Sequence, residues 1–540
     1  MAVATTLAVA TAAAAVGFGR AEAASFNFST TLGSGMVLQH PAVLWGWGTP
    51  GATVATKVSS PTDPTVAVAV STTVASDGIW RQPLPNRSSM SGLAGFTITS
   101  SSGGQTATLT DVLFGRVIMC SGQSNIETIT VSRALNATAE VTAAPAFTHV
   151  RLLQVAHDSD PAKQADLRIQ PTIPWGPPTA GNIGGFSATC FFVARDLFNE
   201  LGGTTAVGVV QSACGGTAVR NWAPMEALAK CPQPYNSPDV HGTHPYEHAV
   251  LYNTMVHPFA TGPAAFSFVV WDQAESDSFP QTPLGYYGCQ TVFQINAWRK
   301  AFGDSLLPWI FVHLQPYTGS GPCCLEDLRA MQLDALALPQ VGFASAIDLG
   351  DPSSPYGNVH FQNKQAVSRR LTAVALQLAF GRGRTVDGDG AWPPPSFLTQ
   401  AVTTSGTTLT VNVTLASVAS FKLKLGATVD LLNQSSAVCP ATVVSGNCSG
   451  FEILSSDGLW HPATASVGSD GKSLILTGVA VGSLEATAPS PPPYAVGSRY
   501  AWNAWPLATL FAENHDGSLG LPVLPWSQAL TMAAPTAARS

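Results

Sequence analysis

The residue types best suited to chemistry meet in one short stretch, VIMCSGQSNIE at residues 117–127. An apolar run ends at a glycine, and Ser124 follows at the head of a polar segment. If the run is a strand, Ser124 stands at its C-terminal end, where α/β sheets bind ligands, and at the start of the next helix. A serine placed there can act as a nucleophile, provided that a base takes its proton and donors meet the oxyanion. The same residues also suit a turn whose hydroxyl satisfies local backbone. Further along, CGGT at residues 214–217 lets the chain approach a ligand closely. A backbone N–H at Gly215 or Gly216 therefore joins that of Ser124 as a candidate oxyanion donor. HGTHPYEH brings together His241, His244 and His248. No cysteine or carboxylate cluster completes a metal shell around them, and neither a metal nor another cofactor is expected.

The elements that must position these residues are legible in outline. Between residues 111 and 380, the runs DVLFGRVIMC, AVGVVQSA, FSFVVWDQ and LPWIFVHLQPY alternate with helix-like CFFVARDLFNELG and TVFQINAWRKAFG. That alternation predicts an α/β unit, a parallel sheet with helices on its faces. IETITVSRALNATAEV, after the serine, reads as a helix. Val367, Leu371, Val374 and Leu378 recur at helical spacing behind Asn363, which is placed to cap the last helix. Residues 24–110 read as an N-terminal β-domain and 111–385 as the α/β domain. A Gly, Asp and Pro linker spans 386–397, and a C-terminal β-rich domain spans 398–540.

Only 11% of the 540 residues are charged, and the formal net charge is −7 with no basic run. Nucleic acid and anionic lipid need clustered Lys and Arg, so neither partner is expected. Residues 1–23 form a small-apolar run closing on AEA, the pattern of a cleaved secretory signal, too short to span a bilayer. Sequons at Asn27, Asn86, Asn136, Asn412, Asn433 and Asn447 fit the same route. Of nine cysteines, Cys439 and Cys448 flank a short loop and are expected to pair, while Cys323 and Cys324 are expected to bond elsewhere than to each other.

DVLFGRVIMCSGQSN resembles the nucleophile block of the sialate O-acetylesterases, a family of SGNH-type hydrolases in which Cys-Ser-Gly-Gln-Ser-Asn carries the catalytic serine. Further blocks match in family order: VGVVQSACGGTAVRNW, HAVLYNTMVHPF, VVWDQAESD and DLGDPSSPYGNVHFQNKQAVSRRL. MVLQHPAVLWGWGTPGATV near the start and RYAWNAWP near the end extend the likeness over nearly the whole chain after residue 23. The resemblance implies an SGNH-hydrolase-like sheet, Ser124 as nucleophile and His360 as its base. The usual orienting Asp stands three residues before the histidine, but here that place is Gly357. Asp351, Asp348 and Glu275 are the alternative acids, and a dyad oriented by a backbone carbonyl is another arrangement. Gln123 and Gln273 are candidates for oxyanion or substrate contact, and Arg220 for a sugar's carboxylate. Tyr252 and His257 line the pocket or belong to the core.

Three positions depart from the family: Ala274 for Gly, Asp277 for Asn and Phe361 for Pro. An anionic Asp277 would repel an oxyanion, which places it outside the hole. The implied activity is removal of O-acetyl groups from sialic acid through an acetyl-enzyme, in a secreted or lysosomal protein without a cofactor. Other acetylated carbohydrates such as xylan are the alternative substrates, and an inactive carbohydrate-binding homologue is the alternative of another class.

Overall fold

A computed structural model describes residues 25–60, 62, 67–86, 90, 92–231, 247–278, 286–317, 324–382, 393–416, 422–425, 450–479, 494–502, 506, 508–514 and 518–530. The expected signal segment, His241, His244, Cys323, Cys439, Cys448, most of the 386–397 linker and the sequons at Asn433 and Asn447 lie outside the described residues.

One strand, Gln105–Gly122, organises the first half of the molecule. Its beginning pairs antiparallel with Phe96–Ser102, within a β-rich unit that also holds Thr53–Ser59 and Ala67–Thr73. Its end pairs in parallel with Ala206–Ala213 on one side and Phe268–Asp272 on the other. The change of partners falls near Asp111, whose φ of 54° bends the strand and whose carboxylate takes two hydrogen bonds from Arg151, at 2.5 and 3.2 Å. The boundary read between residues 110 and 111 is thus a change of pairing inside one element.

The sheet runs in the order Ile173–Gly176, Val150–Gln154, Ala206–Ala213, Gln105–Gly122, Phe268–Asp272, Trp309–His313, Val341–Ser345. All neighbours are parallel except the antiparallel edge strand Ile173–Gly176. Alternate residues of one strand feed two apolar clusters: Val117 and Met119 enter one, Ile118 and Cys120 the other. Strands covered on both faces lose the polar alternation of a half-exposed strand, which is why VIMC and FVVW read as continuous apolar runs. Helix Ala188–Glu200 packs on Ala206–Ala213 and on helix Lys364–Phe380, which in turn covers Val341–Ser345. In the other cluster, Trp298 of helix Tyr287–Phe302 meets Trp271 and Trp309 edge-on, with ring centroids 6.0 and 5.2 Å apart.

Asn363 caps the Lys364–Phe380 helix by accepting from the Ala366 N–H at 3.2 Å, and Val367, Leu371 and Val374 are buried. The segment after Ser124 differs from the expected single helix. It forms a four-residue turn of helix, Ser124–Glu127, then a 3-10 turn Val131–Arg133 and a helix Ala137–Ala143. Thr130 bridges to Ser187 between these pieces, and its β-branched neighbours lose little by leaving the helix.

Among the described residues, the disulfides Cys120–Cys190 and Cys231–Cys289 join residues 70 and 58 positions apart. The first fastens the Ser124 strand to the helix behind it. Such partners are set by the sheet and not by nearness in sequence. Beyond the α/β region, seven antiparallel strands from Ser396–Ser405 to Trp526–Ala529 form a separate sheet around Val411, Leu476, Tyr500 and Trp526. Among the described residues, no helix is long and apolar enough to cross a membrane.

Candidate active site

Gly122 makes the turn that presents Ser124. Its φ is +141°, and a Cβ there would fall 2.0 Å from the carbonyl oxygen of Asp272 on the adjacent strand. Only glycine allows that approach. The Asp272 carbonyl then accepts the Gln123 N–H at 3.0 Å, and Ser124 opens the short helix half-buried. As a first helical residue, it has an N–H without an intrahelical acceptor. Gly215 lies against it: a Cβ on Gly215 would be 3.4 Å from the Ser124 Cβ. Gly216, at φ +73°, is exposed to solvent.

His360 stands on a tight turn. Gly357 takes φ +89°, its N–H bonds the Ser354 carbonyl at 3.1 Å, and the His360 N–H bonds the Gly357 carbonyl at 2.8 Å. This turn puts the Tyr356 carbonyl oxygen 2.6 Å from His360 Nδ1. A carbonyl can only accept, so Nδ1 carries a proton, and in the neutral ring the lone pair is on Nε2. Nε2 is buried and has no hydrogen-bond partner. An aspartate at position 357 would have to adopt a left-handed backbone.

The acids weighed from sequence have other partners. Asp348 forms a two-point ion pair with Arg370 at 2.7 and 2.8 Å. Asp351 accepts from the Ser353 hydroxyl at 3.0 Å. Glu275 is buried and accepts through Oε1 from Asn125 and from Gln315, the latter at 3.2 Å. Both amides also donate to the Val359 carbonyl at 3.0 Å. The residue after the serine and the residue before the histidine are therefore tied together. Lys364 completes this cluster, donating to Asn125 Oδ1 at 2.8 Å with its ammonium 3.6 Å from the centre of the Phe361 ring. Phe361, which departs from the family's proline, is fully buried there. Burial pushes the Lys364 ammonium below its usual pKa and the fully buried Asp272 carboxyl above its own.

Gln273 has three acceptors around its amide nitrogen: Gln123 Oε1 at 3.1 Å, the Thr217 carbonyl at 3.1 Å and Asp277 at 2.6 Å. Its hydrogens hold Gln123 and Asp277 in place. Burial raises the Asp277 carboxyl to about 6, against the opposing charge of Arg220 and hydrogen bonds from Gln273 and the Val219 N–H. A folded-state pKa above the unfolded value of ~3.9 means that the folded protein holds this proton more tightly. Stability then falls as pH rises from about 4 to about 6, by about 3 kcal/mol for this group. Asp277→Asn is expected to flatten that fall in urea-denaturation midpoints measured across the same pH window.

Ala274 sits at φ +141° and is fully buried, at the place where the family carries glycine. Side chains adopt that backbone at a cost of ~1–3 kcal/mol, partly offset in glycine by chain entropy. Ala274→Gly is expected to raise stability by about 1 kcal/mol, read as an upward shift in Tm.

Sequence reasoning missed Asn125, Gln315, Lys364, Tyr356 and Glu127. All five stand inside segments already quoted; Asn125, Glu127 and Lys364 could have been weighed there as side chains, whereas what Gln315 and the Tyr356 carbonyl meet is set by the fold. Of the remaining candidates, Tyr252 is in the core and His257 Nδ1 lies 2.8 Å from the Gln164 carbonyl oxygen. Among the described residues, no group of three or more His, Cys, Asp and Glu side chains is arranged to hold a metal ion. Cys214, next to Gly215, is no rival nucleophile, because burial and the charge of Glu127 push its thiol up to about 12.

The profile of a family described as carbohydrate esterase, sialic acid-specific acetylesterase, matches residues 115–376. The chain is 31% identical over 390 residues to sialate O-acetylesterase of Homo sapiens, covering 67% of this chain and 72% of that protein. It is 30% identical over 416 residues to the Mus musculus enzyme of that name, covering 67% and 75%. Among solved structures, a carbohydrate acetylesterase from Xanthomonas citri superposes with a TM-score of 0.71 at 25% identity, over 93% of this chain and 99% of that one. With its mixed sheets and helices, its C-terminal β-rich part and these relatives, the chain belongs to the sialate O-acetylesterase family of carbohydrate esterases and is a carboxylic ester hydrolase.

Proposed function

We propose that this chain is a serine esterase of SGNH-hydrolase-like architecture that removes O-acetyl groups from sialic acid or a related acetylated sugar. Ser124 attacks the acetyl carbonyl while His360 Nε2 takes its proton. The N–H groups of Ser124 and Gly215 meet the oxyanion. His360 then protonates the departing sugar alcohol, and water, activated by the same nitrogen, releases acetate from Ser124. The observation that carries this reading is the setting of His360: a carbonyl accepts from Nδ1, so the lone pair of the neutral ring falls on Nε2, which is unpartnered. The tie between Asn125 and Val359 holds that ring's loop to the serine's helix. Neither Asp351, Asp348 nor Glu275 is needed as an orienting acid.

Arg220, near enough to act on the Asp277 carboxyl, is the group we assign to the carboxylate of the sugar acid. A secretory route is supported by two disulfides and by the exposure of the four described sequon residues, Asn27, Asn86, Asn136 and Asn412.

Two measurements test the proposal. Rapid quenching with substrate should trap an acetyl group on the peptide that contains Ser124, and its absence there would remove the serine mechanism. A panel of acetylated sialosides and acetylated xylo-oligosaccharides, compared by kcat/KM, should favour the sialosides. Equal rates would defeat the sialate assignment, and no turnover at all would leave a carbohydrate-binding protein.

A further inference from the structure

Glu127 lies three residues beyond Ser124 on the same short helix and turns its carboxylate back toward the serine's neighbours. One oxygen, Oε2, accepts the Gly215 N–H at 2.6 Å. The other stands 2.6 Å from His157 Nε2. The hydrogen bond to Glu127 holds the His157 imidazole above its usual pKa despite partial burial, and the ring also bonds the backbone of Ala213. Both side chains open to solvent, with exposures of 26% for Glu127 and 54% for His157. The carboxylate therefore occupies the N–H that, on the reading above, a substrate's acetyl oxygen must use.

A single N–H cannot serve both oxygens at full strength. When the acetyl oxygen takes it, Glu127 loses a charge-assisted hydrogen bond while His157 keeps the carboxylate at the rim. An ionised carboxylate can only accept, so it needs a new donor, and leaving it without one costs binding energy. The donor must lie within reach of the atom that displaced it, which describes a free hydroxyl on the carbon beside the acetylated one.

We infer that Glu127, anchored by His157, is the subsite for a free hydroxyl adjacent to the acetyl ester. It favours acetylated polyols over acetyl esters that lack the hydroxyl. This rests on Ser124 and Gly215 forming the reaction centre. The exchange makes displacement of Glu127 nearly neutral for a sugar and unfavourable for a simple ester.

The test compares three acetyl esters by kcat/KM: a sugar acetate with the neighbouring hydroxyl free, the same compound with that hydroxyl methylated, and para-nitrophenyl acetate. The wild-type protein should prefer the free hydroxyl over its methyl ether by about tenfold or more. Glu127→Ala should bring that ratio close to one, chiefly by raising kcat/KM for the methyl ether and for para-nitrophenyl acetate, which no longer have to displace a carboxylate from the Gly215 N–H. Glu127→Gln keeps the side chain's shape and removes its charge. It should reduce the ratio in smaller measure, and it carries the test if the alanine variant does not fold. A ratio unchanged by both variants, or an equal loss on all three esters, overturns the inference. Ser124→Ala separates this failure from that of the parent mechanism: if it retains full activity, the serine mechanism itself is wrong.

Discussion

Ser124→Ala is expected to lower kcat for acetyl-ester hydrolysis by between about 10⁴- and 10⁶-fold while KM moves by no more than a few-fold. The hydroxyl forms the bond that defines the proposed pathway, so its loss removes the acetyl-enzyme. The backbone donors at Ser124 and Gly215 survive the change and leave a residual rate above water. His360→Ala should fall into the same range, because an un-ionised serine hydroxyl is a poor nucleophile without a base. The double variant should be no slower than the worse single one, since the two residues act as a unit. Saponification of a chromogenic acetyl ester measures all three, with Tm recorded to show that the fold persists. Losses that multiply in the double variant would show that the two side chains act independently, which the mechanism forbids.

Lys364→Met carries the largest expected effect on stability. Lys364 is fully buried and sits among Asn125, Phe361, Asp272 and Glu275. Both Asp272 carboxylate oxygens are buried without a hydrogen-bond partner, so the neighbouring ammonium is the main support for charge there. Removing one member of a buried ion cluster leaves uncompensated charge and typically costs ~3–5 kcal/mol. The loss should be smaller in acid, where the Asp272 carboxyl, already raised by burial, takes up a proton and no longer needs a cation. Asp272→Asn in the same chain should recover part of the stability, and a double-mutant cycle in urea measures the coupling. Additive losses would show that the two groups do not interact. Because Lys364 also holds Asn125, and Asn125 holds the Val359 carbonyl, kcat should fall with stability even where the protein remains folded.

Much of this arrangement was legible before the fold was known. Buried parallel strands are nearly uniform in apolar character, so the runs ending at Gly122 and Asp272 announced themselves. The Ser124 block by itself suited a turn equally well, and it gained weight from the further blocks that resemble the family in the same order. Lys364–Phe380 showed both its period and its cap. The partners of His360 were harder, because sequence scanning looks for acidic side chains and a carbonyl belongs to every residue. Only the turn at Gly357 identifies Tyr356 as the one that matters. The disulfides escaped for a related reason: Cys120 and Cys190 become neighbours through a crossover of 70 residues, which closeness along the chain does not show.

The long strand Gln105–Gly122 has a further consequence, for the order in which the molecule assembles. It belongs to the N-terminal β-rich unit and also forms the middle of the larger sheet, yet its two parallel neighbours, Ala206–Ala213 and Phe268–Asp272, follow much later in the chain. During synthesis, an early folding hairpin with Phe96–Ser102 would therefore present a raw apolar edge that waits for partners. Pairings of such separation are slow to form, and exposed strand edges invite association with other chains. The segment that finally presents Ser124 is thus one that must wait for its sheet partners while the protein is being made.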